Sequence, residues 1–255
     1  MEPNVKEIVF ALKKLKEVKS IAFHGSHGYS KGDKYSDVDI VCFCTKIPQI
    51  KKREKTLSPI VSELNTDKNK PKEYFKIRDY FYHKNQEMAV DYLEIKKMEK
   101  LLDKFSKRKA SVPEIQEFLN YIYYTKSIYD SDKVLKNLKK RVPKPNKDLA
   151  RRILFFIESR ILSGMDAQIK RKNYLEINRR FDEGIKTYLV SLYMANGTYF
   201  SHYKNAFVTI KNLKKKPKNC MEKLQKVAKM GNSEKEVKEK IKIFDSLYRY
   251  LLKIL

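Results

Sequence analysis

Two aspartates one residue apart, Asp37 and Asp39, lie in the segment FHGSHGYSKGDKYSDVDIVCF, residues 23–43. The apolar residues around them predict a strand, and residues i and i+2 of a strand project from the same face. Two carboxylates this close repel each other, and a divalent cation relieves that repulsion. Oxygen ligands with spare water positions suit Mg²⁺ when nucleotide phosphates complete its shell. The pair therefore predicts a metal site.

The residues before this pair suit the binding of phosphate groups. Gly25 allows close approach of the backbone, and Ser26 supplies both an N–H and a hydroxyl. Both follow a predicted short strand at residues 20–23 and stand at a predicted helix start, where N–H groups point at an anion. Lys34, in the following loop, is a candidate phosphate contact. Together these residues predict a site for a nucleoside triphosphate and a metal ion.

A structural interpretation of the same residues remains open. The segment GYSKGDKYS has the composition of a turn, so its glycines can be ordinary turn residues. Asp37 can likewise be a turn or cap residue, with Asp39 on an exposed strand edge. Lys34 can be a surface lysine that only increases solubility. The metal hypothesis is favoured because Gly25-Ser26 and the two aspartates occur together, whereas either alone would be a weak signal.

The order of strand, Gly25-Ser26, loop and Asp37-Val38-Asp39 resembles the signature of the nucleotidyltransferase superfamily of the DNA polymerase beta type. The match covers residues 20–45 closely and residues 86–95 loosely. The resemblance implies transfer of a nucleoside monophosphate from a nucleoside triphosphate, with ATP as the expected donor and Mg²⁺ required. Gly25 and Ser26 correspond to the Gly-Ser of that signature, and with Lys34 they are the candidate nucleotide-binding residues.

The same resemblance implies a third acidic residue on a later strand of the same sheet. Asp91 in MAVDYLEI is the first candidate, with Glu87 and Glu94 as substitutes. Asp37, Asp39 and Asp91 are then the catalytic residues and the ligands of two Mg²⁺ ions. Asp91, on the acceptor side, would help to place or deprotonate the attacking oxygen.

The elements that must position these residues change in type along the chain. The first half alternates, with helices expected at residues 4–18 and 48–64, and strands at 20–23, 37–44, 73–82 and 87–95, the last two joined by a turn at 83–86. The second half is helical throughout, with helices expected at residues 97–105, 113–129, 131–140, 147–172, 176–195, 203–214, 219–230 and 233–254. The predicted fold class is α+β: a small mixed-sheet nucleotidyltransferase domain at residues 1–105, then an all-α helical bundle domain at 106–255.

The helical half bears on the acceptor. Its plan is similar to that of the aminoglycoside and lincosamide nucleotidyltransferases, which pair the catalytic domain with a C-terminal helical bundle. In the aminoglycoside group a glutamate of the bundle can act as base toward the acceptor. The candidate here is Glu158 in LFFIESRIL, for which a salt bridge to a neighbouring arginine is the alternative explanation.

Charge favours a different acceptor. The chain of 255 residues has a formal net charge of +26, of which residues 1–105 carry +6 and residues 106–255 carry +20. A basic bundle repels polycationic aminoglycosides and suits RNA. The acceptor hydroxyl therefore stays open between a small molecule, an RNA and a protein. A catalytically silent nucleotide- or RNA-binding protein of the same fold is the alternative function.

The absence of long apolar runs and of paired cysteines predicts where in the cell the protein works. No run of 18 apolar residues occurs, so no membrane partner is expected. The three cysteines have no paired CxxC spacing and form no even set for disulfides. We expect buried thiols in a cytoplasmic protein.

Overall fold

The chain forms two compact units, Met1–Val142 and Pro143–Leu255. The structure is a computed structural model that describes residues 3–28, 37–67, 76–106, 119, 122–157, 162–200 and 203–255. The first unit is built on a mixed sheet with helices, and the second is helical in its described residues. The predicted α+β class is thereby confirmed. No helix within the described ranges is long and apolar enough to cross a membrane.

The sheet of the first unit carries the site. Its order within the described residues is β3-β4-β5-β2-β1-β6, and every neighbouring pair is antiparallel except the parallel pair β2 and β5. The strands are β1 Val18–Phe23, β2 Val38–Cys44, β3 Ser62–Thr66, β4 Lys76–His83, β5 Gln86–Glu94 and β6 Lys126–Asp130. The parallel pair at the centre brings two strands from distant parts of the sequence side by side.

One face of this sheet is covered by the hydrophobic core. Helix α1 (Pro3–Lys13) buries Ile8 and Leu12 against inward residues of the central strands, among them Ile40 and Val90. The alternation of the strands leaves the opposite face for polar side chains. The other helices whose full ranges are described in this unit are α2 (Gly25–Gly28), α3 (Ile50–Leu57), α4 (Ile95–Ser106) and α5 (Val134–Arg141).

The β4–β5 hairpin closes through a two-residue turn at Lys84 and Asn85, whose φ angles are 51° and 63°. Two positive φ values belong to the type I′ turn, whose twist matches that of the flanking strands. The turn sets the register, with His83 opposite Gln86 and, further along, Arg78 opposite Asp91. The predicted turn at 83–86 is confirmed.

The second unit is built around a long central helix. Helix α8 (Tyr174–Ala195) begins at Asn173, whose side chain accepts from the Glu176 N–H at 3.3 Å. Phe181 of this helix meets Phe244 edge to face, with ring centroids 6.2 Å apart. The described helices are α6 Lys147–Ile157, α7 Met165–Lys170, α8, α9 Tyr203–Lys211, α10 Cys220–Ala228 and α11 Glu234–Ile254.

The last residues of two predicted helices form edge strands instead. The helix predicted at 48–64 ends at Leu57, and β3 follows it; within the predicted helix 113–129, β6 occupies the last residues. Both strands are short and lack apolar alternation, so they depend on hydrogen bonds to β4 and β1 rather than on a local pattern. Because β6 pairs with β1, the first unit continues to Val142, past the domain boundary expected after residue 105.

Candidate active site

Asp39 and Asp91 lie on the polar face of the sheet, on the neighbouring parallel strands β2 and β5. The register pairs Asp39 with Ala89 and Val41 with Asp91, so the two carboxylates project from one face, offset by two residues. Asp37 immediately precedes β2 and is exposed. The structure therefore brings the predicted aspartates to one region of the sheet.

Gly25 lies against the carboxylate of Asp39. Its φ is +55°, and a Cβ added there would lie 2.4 Å from Asp39 Oδ2. The backbone N–H of His24 donates to the Asp39 carbonyl oxygen at 2.9 Å, which holds the end of β1 beside β2. A side chain at position 25 would collide with the carboxylate and strain the backbone. The glycine is thus required for the close approach of the chain to Asp39.

Ser26 follows in the one-turn helix α2, and its hydroxyl is buried with no hydrogen-bond partner. A buried hydroxyl that makes no hydrogen bond carries an energetic cost unless a ligand or water satisfies it. The Asp39 Oδ1 atom is likewise buried without a hydrogen bond. Two polar atoms able to meet a ligand are therefore placed near the Gly25 backbone.

Arg78 of β4 joins the two carboxylates. Its Nε and Nη2 donate to the two oxygens of Asp91, each at 2.5 Å, and its Nη1 lies 3.4 Å from Asp39 Oδ1. Lys76 Nζ, on the same strand, lies 3.7 Å from Asp91 Oδ2. Neither cation is among the site residues predicted from the sequence. The signal was present, because alternation in KIRDYFY and the hairpin register together place Arg78 opposite Asp91.

The electrostatics of the site differ from those of exposed residues. Burial raises the pKa of Asp39 above its ordinary value, Arg78 opposes this, and the nearby Asp37 and Asp91 reinforce it. Burial lowers the pKa of His24 from 6.5 to about 4, against the attraction of Asp91. The His24 imidazole is therefore neutral at neutral pH and is a weak proton acceptor.

The other candidates are placed elsewhere or lie outside the described residues. Glu94 pairs with Lys97 at 3.5 Å, and Glu87 is exposed opposite Tyr82. Lys34 and Glu158 lie outside the described residues, so their roles stay predictions. Of the three candidates for the third acidic residue, Asp91 is the one that shares Arg78 with Asp39.

The arrangement of the carboxylates bears on metal binding. Within the described residues, no three His, Cys, Asp or Glu side chains are grouped closely enough to hold a metal ion together. Asp37 and Asp39 nevertheless offer carboxylate oxygens, the donors that Mg²⁺ prefers, and Asp39 Oδ1 accepts no hydrogen bond. The carboxylate of Asp91 is engaged by Arg78. The pair Asp37 and Asp39 therefore fits a divalent cation, while Asp91 would first have to part from Arg78.

Comparison with known proteins gives structural similarity without sequence similarity. No protein-family model and no curated protein sequence matches the chain. Similar solved structures include a nucleotidyltransferase-like protein from Exiguobacterium sibiricum, with a TM-score of 0.45, 10% identity and coverage of 98% of this chain and 73% of that one. A spectinomycin adenyltransferase from Enterococcus faecialis, solved with ATP and spectinomycin, has a TM-score of 0.37 and 16% identity, with 98% of both chains covered.

Proposed function

We propose that the chain is a metal-dependent nucleotidyltransferase that moves a nucleoside monophosphate, AMP from ATP, to an acceptor hydroxyl and releases pyrophosphate. The observation that carries the proposal is the approach of Gly25 to Asp39, with 2.4 Å between an added Cβ and Oδ2. It places a backbone turn suited to phosphate beside a carboxylate suited to a metal ion. A structural role for Asp39 does not call for this approach.

The bound metal would be held by Asp37 and Asp39, with Asp91 as a further ligand once it leaves Arg78. Magnesium would supply positive charge at the α-phosphate and at the departing pyrophosphate. Ser26, whose hydroxyl is buried and has no hydrogen-bond partner, would donate to a phosphate oxygen and orient the donor. The Gly25 backbone keeps the phosphates close to Asp39 because no side chain intervenes.

The transfer forms a bond between the acceptor oxygen and the α-phosphorus and breaks the bond from that phosphorus to the bridging oxygen of pyrophosphate. The proton of the acceptor hydroxyl needs a base within hydrogen-bond reach. Asp91 lies on the same face as Asp39 and is the carboxylate nearer to β4. Asp91 is therefore the group assigned to the proton.

The test uses two labels of ATP. The protein is incubated with Mg²⁺, a lysate of the source cells and ATP labelled at either the α or the γ phosphate. We expect the α label to appear on an acceptor and the γ label to appear in pyrophosphate. The Asp39→Asn variant is the matched control, and with it only the labelling by the lysate's own enzymes should remain. Transfer of the γ label to an acceptor above that background would overturn the proposed reaction.

A second candidate is a catalytically silent nucleotide- or RNA-binding protein. The observation that favours it is the position of Arg78, whose guanidinium already neutralises Asp91 and reaches Asp39 without a metal. A silent protein would bind ATP or RNA in the presence of EDTA, because its carboxylates need no metal. Binding that survives EDTA, together with no transfer of the α label, would favour this candidate over the enzyme.

A further inference from the structure

A cavity of about 360 Å³ opens on the first unit, lined by Asn65, Asp67, Lys76, Arg78 and Tyr80. Small-molecule sites in proteins have volumes of roughly 300–1,000 Å³, so the cavity can hold a group of the size of one nucleotide. Two of its lining residues, Lys76 and Arg78, also contact Asp91. The cavity is therefore continuous with the candidate active site through these two cations.

The sheet order places this cavity on the opposite side of the aspartates from the phosphate-binding turn. Gly25 and Ser26 follow β1, and the cavity lies over β4 and the end of β3, with β2 and β5 between them. Strands β1 and β4 are thus three strand spacings apart, about 14 Å. Phosphoryl-type transfer requires the attacking and leaving oxygens to lie roughly in line. A donor held at Gly25 would therefore receive an acceptor from the side of the cavity.

The lining residues define which acceptor would fit. Lys76 and Arg78 are cations, Asp67 is the one carboxylate among the five lining residues, and Asn65 adds an amide. Tyr80 is 46% exposed, and the guanidinium of Arg78 lies 5.5 Å from the centre of its ring. Cations beside an exposed aromatic ring on a sheet match phosphate and a planar base. A polycationic acceptor would face Lys76 and Arg78 with like charge.

The present partner of Lys76 and Arg78 also favours an anionic acceptor. In this structure the negative charge of Asp91 is met by Arg78 and Lys76. If Asp91 were to help hold a divalent cation, Lys76 and Arg78 would be left to pair with a different anion. A phosphate on the acceptor would supply it within the same cavity.

We propose that this cavity is the acceptor site and that the acceptor is a phosphate-bearing, nucleotide-like group. Its phosphate pairs with Lys76 and Arg78, its ring stacks on Tyr80, and its hydroxyl faces Asp91. The attacking oxygen of that hydroxyl bonds to the α-phosphorus of the donor, pyrophosphate leaves, and the hydroxyl proton passes to the Asp91 carboxylate. The inference rests on the proposed function, which supplies the donor. A free nucleotide and the end of a nucleic acid share this chemistry.

The test compares two tyrosines of one strand. Tyr80→Ala removes the ring from the cavity, whereas Tyr82→Ala removes a ring that is also exposed, at 39%, two residues along β4 and outside the cavity lining. Binding is measured by calorimetry with Mg²⁺ and α,β-methylene-ATP, which occupies the donor site without transfer. The probes are cytidine 5′-monophosphate, cytidine, and a 5′-phosphorylated cytidine trinucleotide.

We expect Tyr80→Ala to weaken the binding of the monophosphate about tenfold, the range of one base stacked on an aromatic ring, and Tyr82→Ala to leave it unchanged. Cytidine should bind more weakly than its monophosphate. A trinucleotide that binds more tightly than the monophosphate assigns the site to a nucleic-acid end, and equal binding assigns it to a small nucleotide. The proposed acceptor site is overturned if the two variants lose equal affinity for the monophosphate. It is also overturned if cytidine and its monophosphate bind equally tightly.

Failure of the inference is distinguishable from failure of the proposed function. If the ATP analogue binds with Mg²⁺ but neither phosphate probe binds, the cavity is not the acceptor site and the donor site stands. If the analogue itself does not bind, the proposed function fails and the acceptor site fails with it.

Discussion

Replacing Gly25 with alanine tests the link between the phosphate-binding turn and Asp39. The added Cβ would lie 2.4 Å from Asp39 Oδ2, whereas ordinary contact begins at 3.4 Å, so one of the two groups must move by about 1 Å. The alanine must also adopt a φ of +55°, which costs a non-glycine residue about 1–2 kcal/mol. We therefore expect Gly25→Ala to reduce stability by about that amount and to displace the carboxylate as well.

Gly197→Ala provides the matched control. Gly197 has a φ of +76°, and no heavy atom lies within 4 Å of its added Cβ. Gly197→Ala therefore forces a similar positive φ on an alanine, but its Cβ collides with no other group. A difference in metal or nucleotide binding between the two alanine variants then reports the displacement of Asp39 rather than the loss of backbone stability.

The loss of stability and the displacement of Asp39 are measured separately. Urea unfolding measures stability, and Mn²⁺ binding by electron paramagnetic resonance, with and without ATP, measures the metal site. A shift of about 1 Å in a catalytic group can cost about 100-fold in rate, so transfer by Gly25→Ala should fall by about that factor while Gly197→Ala stays near wild type. Gly25→Ala with wild-type Mn²⁺ affinity and transfer would refute the role assigned to this contact.

Three other variants test separate parts of the first unit. Asp39→Asn should lower metal-dependent transfer by orders of magnitude while circular dichroism and melting stay close to wild type, and normal turnover would remove Asp39 from the site. The pKa of His24 is about 4 in the folded chain and 6.5 in the unfolded chain. Its contribution to the free energy of unfolding, up to about 3 kcal/mol, is therefore present above pH 6.5 and is lost as the pH falls through 4. The free energy of unfolding in urea should therefore depend less steeply on pH in His24→Gln than in the wild type. The same pH dependence in both proteins would contradict the lowered pKa of His24. Arg53→Met leaves the buried Asp79 carboxylate without its guanidinium and should cost about 3–5 kcal/mol by denaturant unfolding. Adding Asp79→Leu should recover most of that loss, and no recovery would argue against the ion pair as its cause.

Local parts of the site could be predicted from the sequence, because they depend on neighbouring residues. The two-residue period predicts that Asp37 and Asp39 point to one side, and the structure places Asp39 in β2 with Asp37 immediately before it, while Gly25-Ser26 follows β1 after one residue. The turn at residues 83–86 was also predictable, and its two-residue loop sets every pair in the β4–β5 hairpin. The opposition of Arg78 and Asp91 therefore follows from the sequence, although we identified it only in the structure.

Long-range pairing was decided by the tertiary structure. Strands β2 and β5 are parallel neighbours although β3 and β4 separate them in the sequence, and this pairing brings Asp91 beside Asp39. Edge strands β3 and β6 were missed because their residues show no apolar alternation, and backbone hydrogen bonds to β4 and β1 stabilise them. The sequence by itself determined which side chains share a strand face, since that depends only on spacing. The distance from Gly25 to the Asp39 carboxylate depends on how separate strands pack, so only the folded chain decided it.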